Sequence, residues 1–169
     1  MNGLQLLETV LGPVQVAFDR EGALIYLGFA DHEFRTALLA KVQMLAPAPR
    51  VAAAVLDRLI QQLETYASGQ RRFFDLPFRL HGSPFEQRVW AGLLRIPYGE
   101  LRSYGQLASE LGDPNLARAV GRANGANPIS ILVPCHRVIG ASGALTGYAG
   151  GLPRKEQFLR LEGALRPGD

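Results

Sequence analysis

Cysteine is nearly absent from this chain: Cys135 is the one thiol in 169 residues. That excludes an internal disulfide framework and any all-cysteine metal site. A lone thiol fits a reducing, cytoplasmic compartment. Long apolar runs are missing too. No stretch approaches the ~20 residues that a membrane span needs, so no membrane partner is expected. The first ten residues have no basic flank and carry Glu8, which speaks against a signal peptide. No internal repeat is visible. What is present suffices for folding: 47% hydrophobic against 20% charged residues allows a proper core and excludes a disordered chain. The length suits one domain or two small ones.

Acid is missing from one long stretch. Between Asp113 and Glu156 there is no Asp or Glu, whereas Arg118, Arg122, Arg137, Arg154 and Lys155 all fall there or just beside it. Residues 1–83 hold 8 basic and 8 acidic residues; residues 84–169 hold 10 and 7, which accounts for the whole net charge of +3. A basic half points to a polyanion such as nucleic acid. The plainer reading is a solvated basic face.

The first half reads as strands and then a helix. Residues 6–10, 14–18 and 23–29 are short apolar runs separated by Leu11-Gly12-Pro13 and Asp19-Arg20-Glu21-Gly22, the pattern of a small antiparallel meander. Residues 32–42 suit a short helix, and 45–50 a Pro/Ala linker. Val51, Val55, Leu59, Leu63 and Tyr66 recur at helical spacing. Residues 71–80 suit an extended segment returning to the sheet. The break at His81-Gly82-Ser83 divides the chain into domains 1–82 and 83–169.

The second half carries strong helix signals. Ser83, Pro84 and Glu86 form a capping box with proline at the first helical position. Ser103 with Gln106 is a second box. A short helix from Tyr104, the turn Gly112-Asp113-Pro114 and a basic helix over 116–125 make a helix-turn-helix pattern. An ordinary helical hairpin would look the same. Residues 127–139 read as an apolar, strand-like stretch interrupted by Pro134. A Gly-rich segment (140–151) and a last helix (153–162) follow.

Cys135 lies in Val133-Pro134-Cys135-His136-Arg137-Val138. Most lone cysteines are small buried hydrophobes. Here His136 and Arg137 supply positive charge, which favours a thiolate, and a thiolate beside a base is a nucleophile. Adjacent side chains point apart on a strand and do not face each other on a helix. Cys135 and His136 therefore need a turn, or a water between them, to cooperate. Glu162 is the best acid to orient His136, with Glu156 and Asp113 as weaker alternatives.

Pro134-Cys135-His136-Arg137-Val138, preceded by Asn127-Pro128-Ile129-Ser130-Ile131-Leu132-Val133, strongly resembles the active-site signature of the O6-alkylguanine-DNA alkyltransferases, the methylated-DNA–protein-cysteine methyltransferases. The resemblance is dense over residues 84–163. It implies an α+β protein: a ribonuclease H-like N-terminal domain built on a small antiparallel sheet, then a mostly helical winged-helix domain with the helix-turn-helix. It implies direct reversal of damage in double-stranded DNA, with base flipping, one turnover per molecule and no cofactor. Cys135 would take the alkyl group, His136 would act as base through a water, Glu162 would orient it, Asn127 would hold the turn, and Tyr104 would donate to the departing guanine. Arg118 would fill the vacated stack. Arg122, Ser103, Ala119, Asn124 and Arg137 would complete the DNA-facing set. Val133, Pro134, Tyr148, Ala149 and Lys155 would line the pocket. A monomer is expected, with cooperativity on DNA and O4-alkylthymine repair left open.

Two positions depart from the pattern. Ala149 replaces a frequent serine, and Ser130 a frequent proline. The structural zinc of some relatives is not expected, because only His32 and His81 stand in the N-terminal half. A non-catalytic winged-helix sensor of alkyl damage is the alternative reading, and a cysteine hydrolase a weaker third.

Overall fold

The computed structural model describes residues 4–31 and 53–166. The helix expected over 32–42, the linker over 45–50, and His32 lie outside the described residues. Within them the protein is α+β, with one three-stranded antiparallel sheet and five α-helices. It divides into two compact units, Met1–His81 and Gly82–Asp169.

In the first unit, β1 (Leu4–Thr9), β2 (Gly12–Phe18) and β3 (Leu24–Phe29) form a meander in sequence order. Thr9 pairs with Gly12 across the first turn, and Val14 with Phe29 between β2 and β3. β1 alternates between half-buried and exposed residues, as a one-sided strand should, whereas every residue of β3 is buried. The turn before β3 is fixed by Asp19, whose Oδ1 accepts from the Glu21 and Ala23 amides at 2.9 and 3.0 Å. Gly22 takes φ +84° there, a conformation that costs other residues more. The segment expected to return to the sheet does so at one bridge, Leu24 beside Phe78. The helix α1 (Ala53–Ala67) buries Leu59, Leu63 and Tyr66 at helical spacing. Its buried Gln62 grips the backbone of Asp75 with both amide atoms.

In the second unit, α2 (Pro84–Leu94) and α3 (Tyr104–Glu110) each start at a complete capping box, Ser83/Glu86 and Ser103/Gln106. A 3-10 turn at Pro114–Leu116 leads into α4 (Ala117–Gly125). Trp90 on α2 is buried and its indole donates to the Ala123 carbonyl at 2.8 Å, which ties α2 to α4. β4 (Arg102–Ser103) and β5 (Val138–Ile139) pair in parallel, and α5 (Leu152–Leu161) closes the unit.

The apolar stretch 127–139 is not a strand, apart from β5. It is a run of tight turns. Leu132 N–H donates to the Ser130 carbonyl at 2.9 Å, closing a three-residue turn around Ile131 at φ +73°. Cys135 N–H donates to the Val133 carbonyl at 2.8 Å around Pro134 at φ −82°, ψ 63°, the geometry of an inverse γ-turn. Burial made the stretch apolar, while its backbone groups found partners locally instead of in a sheet.

Candidate active site

Asn127 builds the floor of the site. Its Oδ1 accepts from Ile129 N–H at 3.0 Å and its Nδ2 donates to the Val133 carbonyl at 2.8 Å. One side chain thus spans the loop that ends at Cys135. Ile131 sits in the left-handed region, which is unfavourable for a β-branched residue. Strain of this kind persists only where surroundings impose it, and it clusters at functional sites.

Cys135 begins a 3-10 turn, Cys135–Arg137, that places consecutive side chains in different directions. The thiol is buried at 6% exposure. His136 is fully buried, with Nε2 2.8 Å from Glu162 Oε2. Glu162 stands at the C-cap of α5 with its carboxylate fully buried. Burial alone would raise its pKa. The hydrogen bond and charge of His136, and those of Arg137, outweigh that and hold the carboxyl down to about 2.

An ionised Glu162 has no proton to give, so His136 Nε2 is the donor. Burial pushes the His136 pKa down, Glu162 opposes this, and the charges of Arg137 and Lys155 push it down further. A neutral imidazole with its proton on Nε2 keeps a lone pair on Nδ1, and Nδ1 is buried with no hydrogen-bond partner among the described residues. The arrangement is that of a general base oriented by a carboxylate.

Lys155 is entirely buried. Its ammonium donates to the carbonyls of Val138 and Thr146. Burial lowers its pKa to about 8, against the opposing pull of the Cys135 thiolate. Thr146 also receives the Tyr104 hydroxyl at 3.2 Å. Tyr104 therefore reaches from α3 to the Gly-rich segment. Tyr148, half-buried on that segment, packs edge-on against Phe158, and so does His136. Ala149 is half-buried beside it, while Val133 and Pro134 are buried.

The expected DNA-facing set divides. Arg118 and Arg122 are exposed on α4, and Ala119 is half-buried there. Ser103 spends its hydroxyl on the Gln106 amide. Two expectations are corrected. Asn124 is on the buried side of α4, 3% exposed, and donates to the Cys135 carbonyl at 3.4 Å. Arg137 is 9% exposed and its guanidinium is engaged by Glu162 and the Ile96 carbonyl. Neither side chain is presented to a duplex. Ile96, Tyr98 and Thr146 touch the cluster but were not among the expected site residues. In the sequence, Ile96-Pro97-Tyr98-Gly99 is only a break that ends a helix. Among the described residues no three His, Cys, Asp or Glu side chains gather as a metal site, and no helix is long and apolar enough to cross a membrane.

A sequence profile described as 6-O-methylguanine DNA methyltransferase, DNA binding domain, matches residues 84–164. A methylated-DNA–protein-cysteine methyltransferase of Methanosarcina acetivorans is 44% identical over 160 residues, spanning 94% of this chain and 97% of that one. The protein of that name from Mycobacterium tuberculosis is 57% identical over 110 residues, 65% of this chain and 67% of the other. In three dimensions, the Mycobacterium tuberculosis OGT in complex with DNA superposes with a TM-score of 0.77 at 43% identity, over 95% of this chain and 92% of that one.

Proposed function

Since this chain belongs to the family of methylated-DNA–protein-cysteine methyltransferases, we propose that Cys135 is the residue on which it performs direct-reversal DNA repair. Cys135 Sγ attacks the alkyl carbon of O6-alkylguanine. The S–C bond forms as the C–O6 bond breaks, and guanine departs. The thiol proton passes through a water to His136 Nδ1, and the departing base recovers a proton from the Tyr104 hydroxyl. The alkyl group stays on sulfur, so each molecule reacts once.

The observation that carries this reading is the buried Glu162–His136 pair, which leaves Nδ1 free to accept. Asn127 holds the turn beneath the thiol. Val133, Pro134, Tyr148, Ala149 and Lys155 shape the pocket into which the base is flipped, which brings a stacked base within reach of a buried nucleophile. Arg118 fills the stack, and Arg122, Ser103 and Ala119 meet the backbone on the same face. Phosphate contacts make binding salt-dependent. The protein acts as a monomer in the cytoplasm, where its thiol stays reduced. The meander with its helix supports a ribonuclease H-like domain over 1–82, and α3, α4 and the short β4–β5 ladder support a winged-helix domain over 83–169.

The test is intact mass and peptide mapping after incubation with a duplex holding one O6-methylguanine. One methyl on Cys135, with equal loss of the lesion, is expected. Cys135→Ala should lose the adduct and keep most of its DNA affinity. Tight binding by the wild type with no adduct would make the protein a damage sensor instead. The same assay with O4-methylthymine decides whether that base is also a substrate.

A further inference from the structure

Glu162 is held from a second side. Arg137 donates Nε to Glu162 Oε1 at 2.8 Å and Nη2 to Oε2 at 3.1 Å, a fork matched to a carboxylate. Its remaining nitrogen, Nη1, donates to the Ile96 carbonyl at 2.7 Å. The guanidinium carbon lies 5.7 Å from the centre of the Tyr98 ring. The Tyr98 hydroxyl donates to the carbonyl of Leu161, the residue before Glu162, at 3.3 Å. Gly99, at φ +84°, leaves room that a side chain would take, since a Cβ there would stand 3.0 Å from the Glu162 carbonyl oxygen. The 96–99 turn, which in sequence is only the end of a helix, therefore wraps the Arg137–Glu162 pair.

That placement has a chemical consequence. His136 and Arg137 both donate to Glu162 Oε2. If Glu162 took up a proton, it could donate to His136 Nε2, and the imidazole proton would then sit on Nδ1. The base would be lost without any atom moving far. A guanidinium cannot give up a proton at any pH of interest, so it keeps the carboxylate ionised. The charged groups facing His136 are Glu162, Arg137 and Lys155, and those facing Glu162 are His136 and Arg137.

Resting on the relay proposed above, we infer that Arg137, seated on the 96–99 turn, is a positioning residue for alkyl transfer: it keeps Glu162 an oriented carboxylate, so that His136 presents Nδ1 as the base.

The experiment is single-turnover transfer from an O6-methylguanine duplex between pH 5 and 9, on the full chain. It compares wild type, Glu162→Gln, Arg137→Met, Arg137→Lys and the double variant Arg137→Met/Glu162→Gln. Glu162→Gln and Arg137→Met should each slow transfer by roughly 10²-fold. Arg137→Met should also move the acid limb of the profile upward by about one pH unit, through loss of a neighbouring positive charge. The double variant should be no slower than Glu162→Gln alone. Arg137→Lys keeps the charge without the fork, so its limb should stay near the wild-type position while its rate stays low.

An unmoved limb in Arg137→Met, or additive losses in the double variant, overturns the inference and leaves the relay standing. Unchanged transfer with weakened DNA binding makes Arg137 a DNA contact and also overturns it. A wild-type rate and limb in Glu162→Gln overturns the relay and the inference together. Should Arg137→Met fail to fold, the double variant carries no unpaired buried charge and decides alone. Equality with Glu162→Gln supports the inference, and a further loss refutes it.

Discussion

The two compact units bury different things. Among the described residues, the first unit encloses Val14, Val16, Leu24, Ile25, Leu27, Leu59 and Leu63, with Gln62 as its one buried polar side chain. The second has an apolar core of its own around Trp90, Leu93, Leu107 and Phe158, and encloses with it Asn124, Asn127, Ser130, His136, Arg137, Lys155 and Glu162. Apolar burial stabilises directly, at roughly 25 cal/mol per Å². A buried ion pair does not, because desolvation consumes most of its Coulomb energy, and apolar substitutes are often equal or better. Folding alone therefore gives no reason for the charged part of the second unit's interior. A base that must stay neutral beside a carboxylate that must stay charged does give one, and those demands can be met only out of water.

The contrast breaks if the first unit proves to control the chemistry. Leu63 on α1 is fully buried. Leu63→Ala should cost about 2–5 kcal/mol in urea unfolding. It should leave the single-turnover transfer rate of the folded protein unchanged at 25 °C. A slowed rate in protein that is fully folded by circular dichroism would show that the site draws on the sheet unit as well.

Acid sharpens the contrast: Asp19, half-buried in the first unit, is the one lowered carboxyl there, whereas the second unit holds two shifted groups that are buried and paired, His136 and Glu162. The His136 pKa is lowered by folding. The unfolded chain therefore takes up the proton first, and stability falls as pH drops below the ordinary value of 6.5. The Glu162 pKa is lowered from 4.5 to about 2, so its contribution is complete above pH 4.5 and is lost as pH falls toward 2. Stability should therefore already decline between pH 7 and 5, before Glu162 begins to contribute to the loss. Trp90, the single tryptophan, is buried in the second unit and reports on it. Its fluorescence transition should move to lower urea on acidification, and Glu162→Gln should abolish the part below pH 4.5. A midpoint flat from pH 7 to 4 would deny the network any linkage to protons.

Legibility in the sequence follows the range of the interactions. Both capping boxes, at Ser83 and Ser103, were readable because four consecutive residues make them. The meander was readable because turn chemistry at Gly12 and Asp19 is equally local. Glu162 was reachable as the best acid for His136, and the structure puts the two 2.8 Å apart. What was not readable depends on distant backbone. Arg137 and Asn124 were expected at the DNA face only through the resemblance, yet each finds a buried partner that no spacing reveals: the Ile96 and Cys135 carbonyls. The run from 127 to 139 looked like a strand because apolar content reports burial and not backbone path. Lys155 was expected at the pocket only through the resemblance, and its burial depends on two carbonyls from elsewhere in the fold.

The smallest expected effect separates the two kinds of ion pair. In the first unit Arg79 bridges Asp19 and Glu21 at the surface, with its side chain 48% exposed and that of Glu21 70% exposed. Water and salt screen such a cluster, and exposed pairs contribute little. Asp19 matters more as a turn residue, since it accepts the Glu21 and Ala23 amides whether or not Arg79 is present. Arg79→Met should shift the thermal midpoint by less than about 2 °C. Whatever shift exists should vanish in 1 M salt, where the screening length is about 3 Å. Arg137→Met removes the same functional group from a site without solvent, so its thermal loss should be larger and should survive the salt. If both substitutions gave equal, salt-sensitive losses, the Arg137–Glu162 pair would be behaving as a surface bridge. The second unit would then have no protected interior in which His136 could be kept neutral.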